Sequence, residues 1–172
     1  AWHAGKSKWK KFDSLNKYSI GIEINNPGHE FGYNTFNLKQ INSLKKLLSF
    51  LIKKYNIKAD NVLGHSDIAP DRKKDPGEKF PWKKLAKKRL CKWHNLNRKK
   101  IKKFRSISVS DKEKKIFLNN LSKIGYNLKI KKIFDKNTRF IIIAYQRHFR
   151  QELIDGKIDK ECLLISKNLI KS

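Results

Sequence analysis

The run from Gly64 to Trp82, GHSDIAPDRKKDPGEKFPW, constrains this chain more than any other stretch. Pro70, Pro76 and Pro81 each fix a backbone torsion and withdraw an amide hydrogen, so the run can be neither a long helix nor a central strand. Val62-Leu63 delivers the chain into His65, and Phe80-Pro81-Trp82 leads out into a helix with proline near its start. A long loop rich in side chains that bind protons or metals is where chemistry tends to sit. His65 and Asp75 are both competent zinc ligands, but a catalytic zinc takes three protein donors and one open position, and the loop supplies only these two. Lys73 stands two residues before Asp75, where an ammonium suits negative charge developing on a carbonyl oxygen during acyl transfer. On the residues alone, a surface loop with one solvated histidine and scattered charge stays open beside this reading.

The flanking segments read as scaffold. From Tyr18 to Asn25 the chain alternates, with Tyr18, Ile20, Ile22 and Ile24 on one side and Ser19, Gly21, Glu23 and Asn25 on the other. That period of two, with β-branched residues, predicts a strand with one buried face. Gly21 leaves room for a close approach on the polar face beside Glu23, although a lone Glu on a strand is ordinarily a solvated charge. Asn37 and Gln40 form a capping box, followed by Leu38, Ile41, Leu44, Leu47, Leu48, Leu51, Ile52 and Tyr55 at helical spacing. This helix offers the strand an apolar face and contains no cofactor box.

Pro81 to Leu90 reads as a short helix, and the basic, aperiodic residues 93–109 as a linker. Ser110 and Glu113 then make a second capping box, and the stripe Ile116, Phe117, Leu121, Ile124 stops at Gly125. A second helix covers about residues 137–150, and Asp159 caps a third through Leu163, Leu164 and Leu169. The expected organisation is one unit over 1–92, a linker over 93–109 and a small three-helix unit over 110–172. His94 has no neighbour that would make a metal site, and His148 reads as a packed or hydrogen-bonded helix residue.

Charge bears on partners. The chain has 42 Lys and Arg against 15 Asp and Glu, a formal net charge of +27. Lysines number 35 and arginines only 7, yet arginine is the residue that reads phosphates and guanines bidentately. The lysine excess is spread over the whole chain, so no specific nucleic acid partner is expected. A diffuse positive field instead favours anionic envelope polymers in a salt-sensitive way. Cys91 and Cys162 form neither a disulfide framework nor a CxxC pair and read as free or buried thiols. No transmembrane segment is expected, because no apolar run reaches the length of a span. The chain has no methionine and opens Ala-Trp-His, without a charged region followed by an apolar one, so a leader or a further N-terminal part is expected before it.

GHSDIAPDRKKDPGEKFPW resembles, without a gap, the zinc-binding motif of the type 2 N-acetylmuramoyl-L-alanine amidases, bacterial cell-wall hydrolases whose fold is shared with peptidoglycan-recognition proteins. The resemblance implies that His65 and Asp75 are two ligands of a Zn²⁺ cofactor and that Lys73 stabilises the transition state. IGIEIN is similar to the family strand carrying the acid/base glutamate, which implies that role for Glu23. Trp2-His3-Ala4-Gly5 and Leu15-Asn16 resemble the segment before that strand, beside the substrate groove, which makes His3 a candidate substrate contact. NLSKIGYNL, TRFIIIAYQRHFRQ and IDGKIDKE resemble the three-helix peptidoglycan-binding module appended to wall hydrolases, best at Tyr145 to Phe149 and the Asp155-Gly156 turn. The family's first zinc ligand is a histidine on a strand upstream of the Trp-His-Ala-Gly segment, where this chain begins.

The implied fold class is α/β, a mixed sheet flanked by helices and incomplete at its N-terminus, followed by a small three-helix bundle. The implied activity is zinc-dependent hydrolysis of the amide between N-acetylmuramic acid and L-alanine. Peptidoglycan or muropeptides would be the partner, the chain a monomer, and the bacterial cell envelope, periplasmic or secreted, its place. With only His65 and Asp75 as ligands, zinc is expected to bind weakly and activity to be impaired unless His3 takes the third position. A non-catalytic peptidoglycan-binding fragment is the alternative, separated by zinc stoichiometry and amide cleavage. A basic nucleic-acid protein, with steeply salt-dependent DNA binding, and a zinc peptidase acting within the stem peptide are the remaining readings.

Overall fold

The capping box expected at Asn37 is present: its side chain accepts the Gln40 N–H at 2.8 Å, and the Gln40 side chain accepts the Asn37 N–H at 3.1 Å. Two of the amides that every helix start leaves unpaired are thereby satisfied, and helix α1 (Leu38–Tyr55) follows. The structure, a computed structural model, describes residues 2–128 and 135–171. Before α1, β1 (Lys8–Trp9) and β2 (Phe12–Asp13) form an antiparallel ribbon with Lys8 opposite Asp13 and Trp9 opposite Phe12. After it come α2 (His65–Ile68), α3 (Trp82–Ala86), α4 (Arg98–Lys102), α5 (Asp111–Ile124), α6 (Lys136–Phe149) and α7 (Lys160–Leu169).

The strand expected over 18–25, and with it the mixed sheet, is not formed among the described residues, where β1 and β2 make the one sheet. The segment is extended, but a strand also needs a neighbour to take its amides and carbonyls. The alternation survives as packing: Ile22 and Ile24 lean half-buried on the core, while Tyr18 and Ile20 are exposed. The α1 stripe is likewise wider than the face that is covered. Ile41, Leu44 and Leu48 are buried, whereas Leu38, Leu47 and Tyr55 face outward.

Among the described residues, two apolar clusters hold the fold. The smaller joins α1 to Phe80, Trp82, Leu85, Leu90 and Cys91. The larger draws Ala4, Trp9 and Leu15 from the N-terminal segment together with Phe117, Leu121, Tyr145, Leu163 and other residues of α5, α6 and α7. Trp93 leans on both. Residues 93–109, expected as a linker, pack along the way: Asn97 caps α4, and Ile101 and Val109 are buried. The carbonyls of Ile107 and Phe104 accept the Lys160 and Glu161 amides at 2.9 and 3.1 Å, so this segment satisfies the start of α7.

Several buried polar groups around α6 and α7 are paired, as their desolvation demands, while Arg150 Nε and His148 Nε2 are buried without a hydrogen-bond partner among the described residues. Arg150 NH1 lies 2.6 Å from Asp159 Oδ2 and its NH2 3.1 Å from Asp155 Oδ1, while Arg105 grips Glu161 with two bonds of 2.6 and 2.9 Å. The Gln146 amide organises the Asp155-Gly156 turn. Its oxygen accepts the amides of both residues at 3.1 and 2.8 Å, and its nitrogen donates to Asp155 Oδ1 and the Lys157 carbonyl. Cys91 and Cys162 are free and buried, and burial first of all pushes both thiols up to about 12. Among the described residues no helix is long and apolar enough to cross a membrane.

Candidate active site

Between α2 and α3 the chain runs through turns, and Asp75 comes back to the start of α2. The Ser66 N–H donates to the Asp75 carbonyl at 2.9 Å, and His65 Nδ1 lies 3.1 Å from Asp75 Oδ2. The histidine is largely buried, while the Asp75 carboxylate is 59% exposed. Burial alone would raise the Asp75 carboxyl. The His65 hydrogen bond and charge, the residue's own N–H and the Lys73 ammonium outweigh it and hold the carboxyl below the usual range. Lys73 is half-buried, with its amide bonded to the Ala69 carbonyl at 3.0 Å.

The N-terminal segment closes against this loop. Ala4 O lies 3.4 Å from His65 Nε2 and also accepts from Arg72 NH2. The Arg72 guanidinium donates further to the Lys6 carbonyl at 2.9 and 3.1 Å. His3 Nε2 is 2.8 Å from Ser19 Oγ, and Asn16 Oδ1 accepts the amides of His3 and Ala4. A Cβ on Gly21 would stand 2.6 Å from the Cβ of His3, so only glycine lets the histidine rest on this extended segment. His3, the 18–25 segment and the His65 loop therefore converge. Glu23 is exposed two residues beyond Gly21, and among the described residues no hydrogen bond joins it to His65 or Asp75.

Two donors on one tetrahedral zinc, at about 2.0 to 2.2 Å from the ion, stand roughly 3.3 Å apart. The His65–Asp75 separation of 3.1 Å fits two corners of such an ion. Among the described residues no three His, Cys, Asp or Glu side chains stand where a single ion could take them all. His3 thus does not join the pair as a third ligand.

Three residues brace the loop from behind: Asp67 and Tyr126, which sequence reasoning passed over, and His148, which is the packed, hydrogen-bonded helix residue expected. Asp67 is 2% exposed, and its carboxylate accepts from Gly64 N–H at 2.8 Å, Tyr126 OH at 2.6 Å and His148 Nδ1 at 2.8 Å. Burial, then the Asp67 charge, push the Tyr126 phenol well above its ordinary range, which keeps it a donor. The one legible signal was an acid three residues after a helix start, placed to reach back to the first amide. Tyr33 was also missed. Its hydroxyl donates to the Pro76 carbonyl at 2.7 Å and accepts the Lys79 amide at 2.9 Å, which pins the turn after Asp75.

Known proteins resemble this chain in sequence and in fold. Residues 1–78 match the Amidase_2 family, N-acetylmuramoyl-L-alanine amidase. The chain is 35% identical over 176 residues to the Escherichia coli N-acetylmuramoyl-L-alanine amidase AmiD, covering 99% of this chain and 63% of that protein's length. It is 42% identical over 87 residues to the 1,6-anhydro-N-acetylmuramyl-L-alanine amidase AmpD of Enterobacter cloacae, covering 49% of this chain and 43% of the relative. Among solved structures, the complex of E. coli AmiD with anhydro-N-acetylmuramic acid-L-Ala-D-gamma-Glu-L-Lys superposes with a TM-score of 0.85 at 35% identity, covering 99% of this chain and 68% of that one. AmpDh3 of Pseudomonas aeruginosa bound to an anhydromuramic pentapeptide gives 0.84 at 34% identity, covering 99% and 69%.

Proposed function

The chain belongs to the N-acetylmuramoyl-L-alanine amidase family, and on that premise we propose that it hydrolyses the amide joining the lactyl group of N-acetylmuramic acid to L-alanine in peptidoglycan or its muropeptides. The observation that carries this reading is the His65–Asp75 pair, 3.1 Å apart at the mouth of a loop closed by the N-terminal segment. These two side chains would hold two positions on a zinc ion. When bound, that ion supplies a Lewis acid that polarises the scissile carbonyl and makes water acidic enough to be a nucleophile near neutral pH.

The remaining roles fall to the chain's own residues. Glu23, on the exposed face of its segment, takes the proton of the attacking water and returns it to the departing amine nitrogen. Lys73, whose charge already reaches Asp75, steadies the negative oxygen that forms as the carbonyl is attacked. His3 borders the groove and contacts the sugar or the stem. The helices over 110–172 serve as a wall-binding module that raises the local concentration of the site on its polymer, and the cell envelope is the compartment this reading implies.

Incubation with an anhydromuramyl tripeptide and Zn²⁺, followed by mass spectrometry, tests the assignment. A free lactyl carboxylate and a free alanine amine are expected. Cleavage inside the peptide, or retention on cell wall without cleavage at saturating Zn²⁺, overturns it.

A further inference from the structure

Asp67 belongs to the same single turn of helix as His65, yet its side chain faces away from the loop and into the C-terminal helices. Three donors meet on its carboxylate, and two of them, Tyr126 after α5 and His148 in α6, lie far along the chain. His148 is held between Trp82 and Phe149, with ring centres 3.9 and 4.0 Å away and planes within 17° and 7°. Tyr126 is set against the Trp9 ring at 4.9 Å. Both are almost wholly buried. A short helix with so few internal hydrogen bonds has little stiffness of its own, so its orientation is set by what grips it.

The grip passes on to the pair. Asp67 fixes the Gly64 amide at 2.8 Å, and a Cβ on Gly64 would stand 2.7 Å from Pro76 Cδ, directly after Asp75. Ser66, between His65 and Asp67, bonds the Asp75 carbonyl. We propose that Tyr126 and His148 are positioning residues for His65 and Asp75, acting through Asp67, so that the C-terminal helices complete the active site as well as serving any binding role. The proposal deepens the amidase reading and rests on it for the identity of the pair.

The test uses the whole chain with Tyr126→Phe, His148→Leu and His148→Asn, and with Tyr145→Phe as control. Tyr145 is as deeply buried and loses one hydrogen bond, to the Cys162 carbonyl at 3.1 Å, but lies on no contact with Asp67. Four quantities are read: melting temperature, the NMR ring signals of His65, Zn²⁺ affinity against a chelator, and kcat with KM on an anhydromuropeptide. Y126F and H148L shift the His65 signals, weaken zinc about tenfold and lower kcat with KM held within about twofold. H148N, which keeps an N–H near the place of Nδ1, restores most of each, and Y145F lowers only the melting temperature. Equal loss of melting temperature with unmoved His65 signals in Y126F and H148L overturns the proposal. A wild-type chain that neither binds zinc nor cleaves the substrate overturns the amidase reading instead, and the His65 signals still decide the positioning claim.

Discussion

Trp9 and Gly125 occupy one space: a Cβ on the glycine would stand 2.5 Å from the indole Cε2. Gly125 ends α5 at φ +140°, and its carbonyl accepts the Lys10 amide at 2.8 Å. Its substitution therefore meets both a backbone conformation that disfavours side chains and a ring that cannot withdraw without opening the larger core. Gly125→Ala is expected to lower unfolding stability by about 2 to 4 kcal/mol in urea titrations. A loss below about 1 kcal/mol would show that the indole moves aside freely.

His94 gives the fold a dependence on acidity. Burial, with the charges of Lys83 and Arg98, lowers its imidazole to about 4. The unfolded chain then binds a proton near pH 6.5 that the folded one refuses, so stability is complete above that pH and falls as the solution is acidified towards 4. Between about pH 7 and about pH 5 this group alone removes about 2 kcal/mol. His94→Phe, which keeps a ring beside Trp93, should flatten that part of the denaturation profile; an unchanged slope refutes the assignment.

Arg150 shows what a buried charge does when its partner is removed. It is 3% exposed and its guanidinium meets Asp159 and Asp155. Arg150→Met strands the buried Asp159 carboxylate and is expected to cost about 3 to 5 kcal/mol. Adding Asp159→Asn should recover part of that loss, because the amide keeps an oxygen for the Cys162 N–H and brings no charge. Chemical denaturation of the single and double variants reads the coupling.

His65 and Asp67, two residues apart in one turn of helix, separate chemistry from folding. His65→Ala breaks a bond to a carboxylate that is 59% exposed, and should change stability by no more than about 1 kcal/mol while abolishing amide cleavage. Asp67→Ala leaves the buried Tyr126 and His148 donors facing nothing and should cost about 3 kcal/mol or more. Circular dichroism melts beside product analysis distinguish the two; equal losses of stability would contradict the division.

Local signals carried well from sequence to structure. The boxes at Asn37–Gln40 and Ser110–Glu113 and the cap at Asp159 start their helices where expected, because each is decided within four residues. His65 and Asp75 meet, as the turn chemistry of the proline loop allows. Failures occurred where distant partners decide. A period of two at 18–25 cannot reveal whether a neighbouring strand exists, and basic residues over 93–109 hide that Ile101 and Val109 belong to the core. Asp67 looked like one more loop charge. Its meaning lies in a phenol and an imidazole 59 and 81 positions away, a distance no periodicity measures.

Cys91 and Cys162 lie sealed inside and protonated, which makes the unaltered protein its own labelling background. A single thiol introduced on the outward face of α1, at Lys46 for instance, would react with maleimide dyes alone. Docking on intact sacculi could then be followed by fluorescence with no native cysteine replaced.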